Sequence, residues 1–174
     1  MMMMVLAIAL VSIGSAHLEM FDPSKMLLVD HSGSNYLFRS NNVLTRDASG
    51  KYTFDCKGII QRARQLAKIP SNHTINFIDI SLLNPNVPDD KLTLDIERTS
   101  GNCNLPQFES FYFYNWVLVG DWTSDYIVPK IDQLNRLMSI NNSPNRSTVI
   151  LVHCMQGLDR TGELIGSYVL NKHS

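Results

Sequence analysis

The sequence predicts an α/β layered fold in which a central, mostly parallel sheet is flanked by helices. Three observations carry that expectation. Short β-branched or apolar runs alternate along the chain with amphipathic stretches of helical period. Val149, Ile150, Leu151 and Val152 form a continuous apolar run, as a parallel strand buried on both faces requires. The chain has 174 residues, 44% hydrophobic and 18% charged, enough for one domain with a substantial core and unlike a disordered chain.

The elements follow in order. Residues 1–16 have the pattern of a signal peptide: an apolar stretch from Val5 to Val11, too short to span a bilayer, then the small residues Gly14, Ser15 and Ala16. The domain is therefore expected over residues 17–174. Residues 25–30 and 35–40 are expected as strands around a turn at His31, Ser32, Gly33 and Ser34. Asp55 can cap a helix over 56–68, with Ile59, Ala63, Leu66 and Ala67 on one face and Pro70 ending it. Residues 74–80 form a β-branched, apolar strand candidate. Residues 81–107, punctuated by Pro85, Pro88, Gly101 and Pro106, are expected to be irregular, either functional or hiding a short helix. Residues 108–119 are aromatic and β-branched, and Gly120 closes that strand. Pro129 fits the first turn of a helix reaching about residue 140, with Ile131, Leu134, Leu137 and Met138 on its apolar face. A last helix is expected to start near Thr161 and to bury Leu164, Ile165, Tyr168 and Val169.

A formal net charge of −1 provides no general pull toward nucleic acid or anionic membrane, so any grip on an anion must be local. No later segment is long and apolar enough for a membrane anchor. His31, His73 and His173 are scattered, without metal-ligand spacing, and are expected at the surface; no metal or other cofactor is expected. Trp116, Trp122, Tyr112 and Tyr114 are expected as core or pocket wall.

The chemistry concentrates in His153, Cys154, Met155, Gln156, Gly157, Leu158, Asp159, Arg160, Thr161 and Gly162, between a buried strand and a helix. A loop turning from strand into helix aims successive N–H groups at one point, and the helix N-terminus adds positive potential. That field favours a thiolate and an anion alike. Arg160 can hold two phosphate oxygens in its planar fork. Gly157 and Gly162 allow close backbone approach or a sharp turn. These residues suit a two-step hydrolysis, in which Cys154 attacks phosphorus, a carboxylic acid protonates the leaving alcohol, and water cleaves the phosphocysteine. Thr161 is placed to donate to the departing thiolate, and Arg160 with the backbone amides stabilises the charge without a metal.

This motif resembles the signature of the protein-tyrosine and dual-specificity phosphatases. The resemblance implies Cys154 as nucleophile, Met155 to Arg160 as phosphate loop, Thr161 as the aid to thiolate departure and His153 as a support for the cysteine. Asp159 before the arginine is similar to myotubularins and to bacterial secreted phosphatases acting on phosphotyrosine and phosphoinositides, whose loops often carry Lys; this loop has none. In these families the general acid lies well upstream of the nucleophile, on a loop leaving a strand. That implies Asp121, just after the strand that Gly120 closes, with Asp125, nearer the following helix, as runner-up. Related domains continue with further helices, so the resemblance implies a phosphatase-like domain shortened at its C-terminus. The expected activity is hydrolysis of phosphotyrosine, with phosphoserine or phosphothreonine beside it. Alternatives are a phosphoinositide or inositol-phosphate phosphatase, and a phosphate-binding pseudophosphatase lacking a working acid.

With Cys154 assigned to the loop, Cys56 and Cys103 are the expected disulfide of an exported protein. Asn72, Asn141 and Asn145 head glycosylation sequons, in keeping with secretion.

Overall fold

The computed structural model describes residues 18–99, Leu105, 108–121 and 123–173. The signal-like segment 1–16, Cys103 and Trp122 lie outside the described residues. Seven strands are present among them: β1 (Leu27–Ser32), β2 (Asn35–Ser40), β3 (Leu44–Arg46), β4 (Tyr52–Phe54), β5 (Thr74–Ser81), β6 (Phe108–Asn115) and β7 (Arg146–His153). Four helices join them: α1 (Cys56–Ala67), α2 (Pro88–Thr99), α3 (Ile127–Met138) and α4 (Asp159–His173). Five strands form one sheet in the order β1-β2-β7-β5-β6, and β3 pairs with β4 in a separate hairpin. Strands β2, β7, β5 and β6 run parallel, and β1 is antiparallel to β2 at one edge.

The apolar run at 149–152 occupies the centre of the sheet, and all of β7 after Arg146 is buried. Its side chains alternate between two cores, as strand geometry demands. Val149 and Leu151 join Phe38 and Phe77 beneath Ile59, Ile60 and Ala63 of α1. Ile150 and Val152 join Leu37, Ile78 and Ile80 against Ile131 and Leu134 of α3 and Leu164, Ile165 and Tyr168 of α4. Helices therefore cover both faces, which a parallel sheet requires.

Local signals explain the helix starts. Asp55 caps α1, its side chain accepting the Gly58 N–H at 3.0 Å, and Lys68 closes the helix in the left-handed region. Pro129 falls in the first turn of α3. Pro88 opens α2, with Asp89 and Asp90 in the first turn, where negative charge complements the helix dipole.

The structure departs from expectation in four places. The stretch 81–107 holds α2, a full 12-residue helix rather than a short one. Strand β1 starts at Leu27, because Asp22 caps a 3-10 turn over Pro23–Lys25. Strand β6 ends at Asn115, where β5 also runs out: the Trp116 N–H returns to the Ser81 carbonyl, and the Asn115 side chain bonds the Ser81 and Leu83 carbonyls. As β6 is an edge strand, Tyr112 and Tyr114 are exposed rather than core; Tyr114 borders a surface pocket with Trp116. No described helix is long and apolar enough to cross a membrane.

Candidate active site

The motif loop leaves the C-terminal end of β7, the central strand, and feeds α4. Such a position at the strand ends of an open α/β sheet is where ligand sites form. Cys154, at 3% exposure, is buried at the strand end and is free. The scaffold takes hold of the loop through its carbonyls. Leu82 N–H bonds the His153 oxygen at 2.9 Å, Asn42 N–H bonds the Met155 oxygen at 3.0 Å, and the Arg39 guanidinium bonds the Gly157 oxygen. In a trans peptide the carbonyl and the following N–H point opposite ways. Anchoring the Met155 and Gly157 oxygens to the scaffold therefore turns the Gln156 and Leu158 amides toward the other side of the loop. Of the loop amides, that of Gly157 is directed at the Cys154 sulfur, 3.2 Å away.

Gly157 has φ +71°, and a Cβ there would lie 2.5 Å from the Ser40 carbonyl oxygen. No side chain fits. Gly162, by contrast, lies inside α4, where an added Cβ would meet nothing within 4 Å, so the steric reason expected for both glycines applies to Gly157 alone. Asp159 is the first residue of α4, its charge near the positive helix end. Gln156 and Leu158 are outward on the loop, and Met155 is partly buried. Thr161 is fully buried with a hydroxyl that has no hydrogen-bond partner, a donor available to a group reaching it.

Arg160 is held by a residue that sequence reading missed. Its guanidinium donates to Asp90 of α2 at 2.5 and 3.4 Å and to the Leu82 carbonyl at 3.3 Å. Asp90, in the first turn of α2, is 2% exposed. Together with Asn84, Val87, Leu118 and Val119, these two side chains line a cleft of ≈ 270 Å³. Three buried polar residues of helix α2 face the motif segment. Asp90, Thr93 and Glu97 are spaced by three and four residues, so they share one face. They meet Arg160, the Met155 sulfur at 3.8 Å and His153, respectively.

His153 is completely buried beside two buried carboxylates. Its Nε2 lies 3.2 Å from Asp79 Oδ1 and 3.6 Å from Glu97 Oε1. Burial alone would push the imidazole down, but Asp79 and Glu97 outweigh it and raise it to about 9. Burial drives Glu97 up to about 8, against the pull of His153. The motif pointed to His153 as a support for Cys154. Asp79 on β5 and Glu97 on α2 are far away in sequence and carried no signal.

The two acid candidates have different surroundings. Asp125 is buried, and its carboxylate accepts the N–H groups of Val119, Gly120 and Asp121, so it shapes the loop. Asp121 is exposed; its carboxylate accepts the hydroxyl and N–H of Thr123 and the Ser124 hydroxyl, and these bonds, Thr123 first, hold it below the ordinary carboxylate range. The segment before it borders the cleft through Leu118 and Val119. Glu163, one turn beyond Arg160, is a further carboxyl near this loop; burial and the Asp125 and Asp121 charges push it up.

The remaining expected positions are scattered. His31 and His173 are exposed; His73 is partly buried, its Nδ1 2.9 Å from the Ser147 hydroxyl. Asn72, Asn141 and Asn145 are all exposed. Cys56 is buried and disulfide-bonded, while Cys103, its expected partner, lies outside the described residues.

Comparison with protein-family models, with curated proteins and with solved structures found no match to this chain.

Proposed function

We propose that the chain is an exported cysteine-dependent phosphomonoester hydrolase acting on phosphotyrosine, and on phosphoserine or phosphothreonine more slowly. The observation that carries this reading is the pairing of a free Cys154 with an inward Gly157 N–H and Arg160 on one loop-to-helix turn. The Cys154 thiolate attacks phosphorus, and the P–O bond breaks toward a leaving oxygen that takes a proton from Asp121. Water then attacks the phosphocysteine, returning its proton to Asp121, and the P–S bond breaks with the Thr161 hydroxyl donating to the departing sulfur. The loop amides and Arg160 stabilise the charge on the equatorial oxygens. Two features favour an aryl phosphate. Val87 and Val119, 45% and 57% exposed, give the cleft an apolar rim. The charge of Arg160 is already partnered by Asp90, which suits one phosphate better than a polyphosphorylated inositol. The signal-like residues 1–16 and the exposed sequon asparagines support export.

The opposing reading, a phosphate-binding pseudophosphatase, is favoured by the three hydrogen bonds that tie the Asp121 carboxylate to its own loop. One set of assays separates them. The purified chain is expected to hydrolyse phosphotyrosine peptide faster than phosphoserine peptide or phosphoinositide. Cys154→Ser is expected to lose turnover and keep phosphate binding. Asp121→Asn is expected to lose about 10²-fold or more on a poor leaving group and far less on an activated aryl phosphate. Phosphate binding with no turnover on any of the three substrates favours the binding protein.

A further inference from the structure

Behind the motif loop, Asp79, Glu97 and His153 cluster, and seven buried polar atoms belong to them and to neighbouring Ser81: the four carboxylate oxygens, both ring nitrogens and the Ser81 hydroxyl. Each is buried without a well-formed hydrogen bond. Asp79, Glu97 and His153 are 0% exposed. Buried polar groups are almost always satisfied, and an unsatisfied ionised carboxylate in an apolar interior is among the costliest arrangements known. The pairing of His153 with Asp79 and Glu97 offsets part of that cost, but no aligned hydrogen bond completes it.

We propose that Asp79, Glu97 and His153, with Ser81 beside them, form a buried site for one divalent first-row transition cation, zinc being the reference ion. The spacing, at and beyond the long end of N–H···O hydrogen bonds, also suits ligands of one ion. Charge-assisted N–H···O bonds run at about 2.7–2.9 Å. Here Nε2 lies 3.2 and 3.6 Å from the two carboxylate oxygens, without hydrogen-bond alignment to either. Ligands about 2.0–2.1 Å from a tetrahedral zinc stand about 3.3 Å from one another. One donor atom from each of the three residues lies within 4.8 Å of the others, within reach of a small adjustment. Ser81 is two residues from Asp79 on β5, pairs in register with His153 and lies close enough to Glu97 to favour its charged form, so it offers a fourth oxygen. With His153 neutral, two carboxylates and a divalent cation sum to zero, so a site closed to water would carry no net charge. One imidazole and oxygen donors suit zinc, or its neighbours in the first row, better than a thiolate-seeking ion.

The cation would tie together β5, α2 and β7 at one point and fix the ring of His153, the residue before Cys154. It would act as a structural pin for the start of the loop, whatever reaction the loop performs. This inference stands apart from the proposed hydrolase activity.

The test uses the full chain stripped by chelator, in a Cys154→Ser background so that the thiol contributes no metal binding. Zinc titration is expected to show one tight equivalent, with a rise in unfolding temperature. Cobalt in its place is expected to give the visible absorption of a four-coordinate ion without thiolate charge transfer. Glu97→Gln and Asp79→Asn are each expected to weaken zinc binding at least tenfold. Absence of a stoichiometric equivalent in the Cys154→Ser chain overturns the proposal. So does undiminished binding in both carboxamide variants. Should those variants fail to fold, the stoichiometry and cobalt spectrum of the Cys154→Ser chain decide alone.

Discussion

Gly157 constrains the loop in two ways that no other residue could satisfy. Its φ of +71° is costly for any side chain, and its Cα passes so close to Ser40 that a methyl group would overlap backbone atoms at 2.5 and 2.7 Å. Backbone on both sides leaves little to give. Gly157→Ala is therefore expected to lower unfolding free energy by about 2 kcal/mol or more in chemical denaturation, and to abolish turnover with it. A variant that folds with wild-type stability would show that the loop has another accessible path. Asp90 works differently. It makes no part of the motif, yet it holds Arg160 through two nitrogen contacts, so the direction of the fork is set on α2 rather than on the loop.

Helices α2 and α4 show two ways in which an element can serve the site. Helix α2 buries Asp90, Thr93, Leu94 and Glu97. Three of those four are polar, so the usual apolar stripe is missing, and hydrophobic periodicity could not announce the helix. The signals that remained were Pro88 and the acidic pair Asp89 and Asp90, a helix start in composition. Helix α4 carries the loop at one end and is fastened at the other. Tyr168 Oη donates to Asp30 Oδ2 at 2.6 Å, and Lys172 reaches the same oxygen, joining α4 to the edge strand β1. Burial pushes the Asp30 carboxyl up, but Lys172 and Tyr168 outweigh it and hold the group below its ordinary 3.8. A carboxyl depressed in the folded state contributes stability above its unfolded value and loses it as pH falls through the folded one. Asp30→Asn is accordingly expected to lower the unfolding temperature at pH 7 and pH 5. The gap to wild type should close as pH drops below about 3.8, the ordinary Asp value. A gap that stays constant from pH 7 to pH 2.5 would assign the effect to packing rather than charge.

At the scale of the molecule, the sheet brings the site together by its strand order. Cys154 follows β7, the middle strand, and its neighbours β2 and β5 end beside it. Residues at or just past those ends supply the supports: Ser40 at the end of β2, Asn41 and Asn42 after it, and Leu82 after β5. One covalent tie is expected across this frame. Peptide mapping without reductant should recover Cys56 joined to Cys103, and alkylation should label Cys154 alone. By loop entropy such a bridge contributes on the order of 4 kcal/mol when unstrained, so reduction should lower the unfolding temperature markedly. Labelling of Cys103 without reductant would exclude the pairing.

The sequence alone determined the local parts. The continuous apolar run at 149–152 marked the central strand, because a strand buried on both faces has no polar positions to alternate. Asp55 before Cys56 set the start of α1, because a cap is a contact between near neighbours. The loop residues from His153 to Gly162 were legible for the same reason: a strand-to-helix turn with its cysteine and arginine is a continuous segment. What only the tertiary structure decided are the partners of those residues. Asp90 is remote in sequence from Arg160, as Asp79 and Glu97 are from His153, with at least one strand and one helix between each pair. Their identities as ordinary acidic residues carry no sign of burial, which arises only when β5, β7 and α2 close over them.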